Sequence, residues 1–206
     1  AFAGGGAVMT GANNTAIGRN AGYVLTSGAE NVFVGGLAGD GTDDGNFNTA
    51  VGYLALSANC GSNNTAVGQR SLVSATGDLN TSIGKEAGTL MSSGQRCTFV
   101  GALAGTSAST MEDSVAIGND AGKFATTAHS SVFIGADAGQ GITGTKLTGN
   151  QNVCVGAQAG FLLQGAAENN TLTGFGAGKA LTTGSGNSFM GLNAGSLITT
   201  GDTGVI

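Results

Sequence analysis

The chain has 206 residues, 40 of them Gly and none Pro, and only 9% are charged. Seven Lys and Arg against twelve Asp and Glu leave a net charge of -5, so the clustered basic residues that a nucleic-acid partner requires are missing. No apolar run reaches membrane-spanning length and no signal-peptide pattern opens the residues, so no membrane insertion by this segment is expected, and Gly without a three-residue period and without Pro excludes a collagen triple helix.

Leu, Ile, Val and Phe make up about a fifth of the chain, near the boundary for disorder, yet charge is too sparse for a solvated disordered segment. A repetitive, thinly layered structure reconciles the two. The first full unit, 13–22, reads Asn-Asn-Thr-Ala-Ile-Gly-Arg-Asn-Ala-Gly, and its relatives follow along the whole chain. Taking the Gly after each Ala-Ile-like pair as an anchor gives Gly18, Gly35, Gly52, Gly68, Gly84, Gly101, Gly118, Gly135, Gly156, Gly174 and Gly191. The steps are 16 to 18 residues, except one of 21 after Gly135. A period of this size predicts a solenoid.

The predicted strands are the triplets before each anchor, from Thr15, Ala16 and Ile17 to Ser188, Phe189 and Met190. Their first and third residues are mostly Thr, Val or Ile, which suit a pleated surface, and Gly every few residues argues against helix. These two positions are expected to face the coil interior. The middle residue then points the other way. It is Ala16, Phe33, Ala50, Ala66, Phe99, Ala116, Phe133, Leu172 or Phe189 in nine coils, with Ser82 and Cys154 in the other two and no charge anywhere. An exposed stripe of this kind predicts an interface between copies, with a homotrimer the preferred assembly.

Four residues before the anchor stands Asn in most coils: Asn14, Asn31, Asn48, Asn64, Asn80, Asn152, Asn170 and Asn187. Stacked, they are expected to form an amide ladder at the turn into the strand. Ala three after the anchor, usually followed by Gly, predicts a tight corner. Between corner and next strand a second, weaker strand is expected, as in Tyr-Val-Leu-Thr-Ser from Tyr23 and Ser-Leu-Ile-Thr-Thr from Ser196. The fold class is therefore all-β, a parallel β-solenoid of about eleven 17-residue coils forming one repeat domain over 1–206 and a rod roughly 50 Å long. The Ala3-Gly4 pair and the terminal Val205-Ile206 read as parts of further coils, so the chain is taken as a segment of a longer fibre.

Ser-Val-Ala-Ile-Gly from Ser114 and Asn-Thr-Ala-Ile-Gly from Asn14 resemble the YadA-like head repeats of trimeric autotransporter adhesins. Asn-Thr-Ala-Val-Gly, at Asn48 and Asn64, is similar to repeats in the shafts of phage tail-fibre proteins. The resemblance implies a left-handed β-roll wound as a trimer, an extracellular setting on a virion or cell surface, and attachment to a host-surface glycan or protein receptor. It supplies no catalytic residue and no cofactor.

Other motifs yield to simpler readings. Gly139 to Gly144 satisfies GxGxxG, but the strand, long helix and distal acid of a dinucleotide site are missing, and Gly174 to Lys179 lacks the spacing of a phosphate loop. Asp40, Asp43 and Asp44 are close together without EF-hand spacing, and no metal site is expected. His129 has no acid or nucleophile repeated beside it and reads as a surface turn residue, so no enzyme is expected. Cys154 reads as a small buried hydrophobe, while Cys60 and Cys97 fall in turn regions. The long step after Gly135 predicts an outward loop, with Ile142, Thr143, Lys146, Thr148 and Asn150 the candidate contact residues.

These features point to a non-enzymatic structural or adhesive fibre. The alternative is an ice-binding solenoid, suggested by a Thr/Ser column eight residues after the anchor: Thr26, Thr76, Ser92, Ser109, Thr126, Thr143, Thr182 and Thr199. A glycan-cleaving fibre would need paired carboxylates at a fixed repeat position, and none recurs.

Overall fold

A computed structural model describes residues 10–206. The expected Ala3-Gly4 corner lies outside the described residues. Eleven three-residue strands follow in chain order: β1 Thr15–Ile17, β2 Val32–Val34, β3 Thr49–Val51, β4 Thr65–Val67, β5 Thr81–Ile83, β6 Thr98–Val100, β7 Val115–Ile117, β8 Val132–Ile134, β9 Val153–Val155, β10 Thr171–Thr173 and β11 Ser188–Met190. They form one parallel sheet in sequence order, every residue paired with its equivalent one coil on, as in Ala16 with Phe33. The fold is an all-β solenoid of stacked coils.

Each coil bonds to its neighbours around its whole circumference. The strand entry donates forward (Thr65 N to Asn80 O, 2.8 Å) and the anchor donates back (Gly68 N to Val51 O, 2.8 Å). The corner donates forward again (Gly88 N to Ala104 O, 2.9 Å). Such pairing meets the requirement that nearly every buried backbone group find a partner.

The anchor is Gly for two reasons that act together. Its φ lies between 127° and 142° in all eleven coils, a region closed to residues with a Cβ. A Cβ on Gly101 would also stand 2.5 Å from the carbonyl oxygen of Gly118. Two residues after the anchor the backbone is left-handed too, here with ordinary residues such as Leu37, Leu54 and Leu103. Non-Gly residues are uncommon in this conformation, and nothing in their identities announces it.

The second strand is not formed. Tyr23 and Val24 lie in a turn, because left-handed residues two and four after the anchor, Asn20 and Gly22, curl the chain where an extended segment was expected. Isolated bridges such as Ala125 to Leu147 and Leu147 to Gly165 are what remains of pairing on that side.

The strand faces are also reversed. The middle residues of the strands are the core: Phe33, Ala50, Ala66, Ala116 and Phe133 are completely buried, as are Phe99 and Leu172, and Phe189 is nearly so. Only Ala16, in the first coil, is partly buried. The predicted oligomer stripe therefore lies inside the chain's own coil and is not available to a partner. The Thr, Val and Ile positions on either side point outward.

Volume in the core explains the reversal. A Cβ on Gly39 or Gly22 would meet the Phe33 ring at 2.6 or 3.1 Å, and Gly105 and Gly88 stand in the same relation to Phe99. Each Phe thus lies against the corner Gly of its own coil and of the coil before. Where a strand and its successor both carry a small middle residue, the corner position becomes Leu: Leu56 where Ala50 and Ala66 are adjacent, Leu72 where Ala66 and Ser82 are. Both Leu side chains are fully buried, in left-handed backbone that Gly occupies in the other coils. The core is filled once per step, from one wall or the other.

Candidate functional site

Asn residues at the strand entry are the most regular polar feature. Asn48 Oδ1 accepts the N–H of Asn64 at 2.9 Å, and Asn48 Nδ2 donates to Gly61 O at 2.8 Å. Asn64 treats Asn80 and Gly77 in the same way. Asn14 and Asn31 continue the series toward the N-terminus, Asn80 follows Asn64 and passes it on to Cys97, and Asn152, Asn170 and Asn187 carry it at the C-terminal end. All but Asn14 are buried. Each amide satisfies two backbone groups of the next coil, so the ladder joins coil to coil.

Three coils lack the Asn. Ser114 and Ser131 hold the place with hydroxyls, Ser114 Oγ accepting from Ser131 N at 3.1 Å and Ser131 Oγ from Asn152 N at 3.2 Å. Cys97 fills the third, its thiol 3.3 Å from Met111 O. Sequence reading placed Cys97 in a turn; it is a buried ladder residue. Beside this stretch, Arg96 grips Asp113 through Nε and Nη2 (2.5 and 3.1 Å) and reaches Glu112 at 3.3 Å, all on the surface. Hydrogen bonding to Arg96 holds the Asp113 carboxyl below the usual carboxylate range. His129 is also tied in: its Nδ1 accepts the Glu112 N–H at 3.1 Å and its own N–H donates to Asn150 Oδ1 at 2.9 Å.

The hydroxyl column eight residues after the anchor faces its neighbouring coil. Thr76, Ser92, Ser109 and Thr126 each donate to a backbone carbonyl of the next coil, at 2.9 to 3.3 Å. In the long coil it is Thr148, not Thr143, that takes this role, donating to Gly165 O at 3.0 Å. Leu147 before it turns into the core, so the extra residues project between Gly141 and Leu147. Of the candidate contact residues, Thr143 and Lys146 are exposed on this projection, Ile142 is half-buried, and Thr148 and Asn150 are bonded into the coil frame.

Burial pushes the Asp40 carboxyl up, while Asp43 serves chiefly through its carbonyl, which accepts from Thr26, Ser27 and Gly28. Among the described residues no three His, Cys, Asp or Glu side chains gather as a metal site. The three cysteines are buried and unpaired. Burial raises the Cys60 and Cys97 thiols to about 11 and carries Cys154 higher still.

What stays open is the outward face of the sheet. Ile17, Val32, Ile83, Ile117, Ile134 and Met190 are its most exposed large apolar side chains. It consists of two columns, one of Thr, Val and a Ser, the other of Ile, Val, a Thr and a Met. Sequence reading assigned these residues to the interior because both strand faces lack charge; the paired changes at the middle and corner positions were the signal that separates them. Comparison with known proteins found no matching protein family, curated protein or solved structure.

Proposed function

We propose that this chain is a non-enzymatic structural and adhesive segment of an extracellular fibre, wound as a homotrimer on a virion or cell surface and serving attachment to a host-surface glycan or protein. The observation that carries the reading is the continuous bonding between coils, by backbone around the circumference and by Asn at the strand entry. That construction suits a stiff rod, and a rod with repeated surfaces multiplies weak contacts into avidity. Left-handed winding belongs to the same proposal. The test is chain mass by light scattering together with electron microscopy of the purified protein. Three chains in a rod are expected, and a stable monomer overturns the trimer.

Ice binding through the Thr/Ser column is the weaker reading, because those hydroxyls already donate to the neighbouring coil. No thermal hysteresis is expected at millimolar protein; measurable hysteresis would reverse the preference.

A further inference from the structure

A second ladder runs beside the Asn ladder, two residues earlier in each coil that carries it. Its side chains differ in kind but do one thing: each accepts the backbone N–H of the equivalent residue in the coil before. Asn46 Oδ1 accepts from Ala29, Ser62 Oγ from Asn46 and Asp78 Oδ1 from Ser62. Further along, His129 Nδ1 accepts from Glu112, Asn150 Oδ1 from His129, Ser185 Oγ from Glu168 and Asp202 Oδ1 from Ser185. Amide and hydroxyl oxygens keep their lone pairs at ordinary pH, and a carboxyl group can still accept after it gains a proton. Neutral imidazole has a single acceptor nitrogen and loses it on protonation. The chain's one histidine thus makes the one rung of this ladder that a proton removes.

We propose that His129 is an acid-sensitive catch on the turn at Glu112: the neutral ring holds the Glu112 N–H, and the protonated ring releases it and turns to the carboxylates beside it. Histidine changes charge between about pH 5 and 8, so the contact is complete at the alkaline end of that range and lost as pH falls through it.

The surroundings provide for both positions. The coil before presents Glu112 and Asp113, and Arg96, one coil further back, grips Asp113 with two nitrogens but reaches Glu112 with one, at 3.3 Å. Bonding to Arg96 keeps the Asp113 carboxyl below the usual range, so it stays ionised while the ring titrates. The coil after offers uncharged Asn150 and Gln151 at this turn, with Lys146 on the projection. The other charges of these two coils are engaged after the anchors, Asp120 with Lys123 and Asp137 with Gln140. Release also changes the local balance: one positive and two negative groups become two and two.

The backbone of His129 is fixed without the ring. Its N–H donates to Asn150 Oδ1 at 2.9 Å, its carbonyl accepts from Gln151 N at 3.0 Å, and Ser130 N donates to Glu112 O at 3.0 Å. The ring can therefore leave while the coils stay paired, and what loosens is the turn at Glu112 and Asp113.

Nitrogen NMR of the single imidazole, combined with amide hydrogen exchange at single-residue resolution, tests the catch on the whole chain. At about pH 8 the ring proton should sit on Nε2. Down to about pH 5, protection of the Glu112 amide, corrected for the intrinsic effect of pH on exchange, should fall at least about 10-fold in step with ring protonation. The Asn46 amide, bonded to Ser62, should keep its protection. His129→Asn supplies the side chain that Asn46 and Asn150 use and should hold Glu112 protected throughout. A ring proton on Nδ1 at the alkaline end overturns the proposal, as does Glu112 protection that ignores the ring's titration or falls equally in His129→Asn.

Discussion

A single Asn side chain shows how this molecule spends its polar groups. Removing the amide in Asn64→Ala strands the N–H of Asn80 and the carbonyl of Gly77 in a buried seam. Each orphaned group costs about 1–3 kcal/mol, so thermal unfolding should begin several degrees lower than in wild type, and an unchanged melting curve would deny the ladder a stabilising role. The buried thiols set a pH limit of another kind. Cys60 and Cys97 have folded values near 11, raised from an ordinary 9.0 mainly by burial. Their protonated forms favour the folded state. That contribution is complete below about pH 9 and fades as pH rises toward and through 11. Alkaline unfolding should therefore shift upward in Cys60→Ala combined with Cys97→Ser, read by circular dichroism between pH 8 and 12.

At the scale of one coil, the core is governed by an exchange between strand and corner. Ala66→Phe would place a ring against both Leu56 and Leu72 and should destabilise the chain, since overpacking typically costs about 1–3 kcal/mol. Adding Leu56→Gly and Leu72→Gly recreates the Phe-and-two-Gly arrangement of Phe33 and Phe99 and should recover most of the loss. Failure of the triple variant to recover would refute the exchange. Here the limits of the sequence are plain. The anchor positions were legible because backbone geometry at Gly18, Gly101 and their equivalents tolerates no other residue. Which strand face points inward was not, because Thr, Val and Ile on one side and Ala and Phe on the other are equally uncharged. Phe33 with Gly39 against Ala50 with Leu56 carried the answer, but only as a correlation across a turn. The supposed strand at Tyr23-Val24 misled for a different reason: β-propensity there yields to the left-handed turn at Asn20 and Gly22 just before it.

Among the described residues each strand touches only the strands of the coils next to it, so changes in one coil should remain local. The projection after Gly141 offers a direct check. Deleting 142–146 joins Gly141 to Leu147, keeps Leu147 inward and Thr148 on its carbonyl, and leaves a step of 16 residues like those after Gly52 and Gly68. The shortened protein should melt within about 1 kcal/mol of wild type, because loop length enters stability only weakly. If the projection carries the host contact, the same deletion should abolish attachment while the rod persists in electron micrographs.

The unvarying register from β1 to β11 also bears on how such a chain reaches its form. Every strand finds its partner one coil away, whether the rod has four coils or forty, so the loop to be closed never lengthens as the protein does. Assembly then resembles the growth of a crystal along one axis: a costly first pair of coils, followed by additions of nearly equal difficulty onto an advancing edge. Length in such a molecule becomes a quantity that whole repeats can add or remove without rewriting the rest.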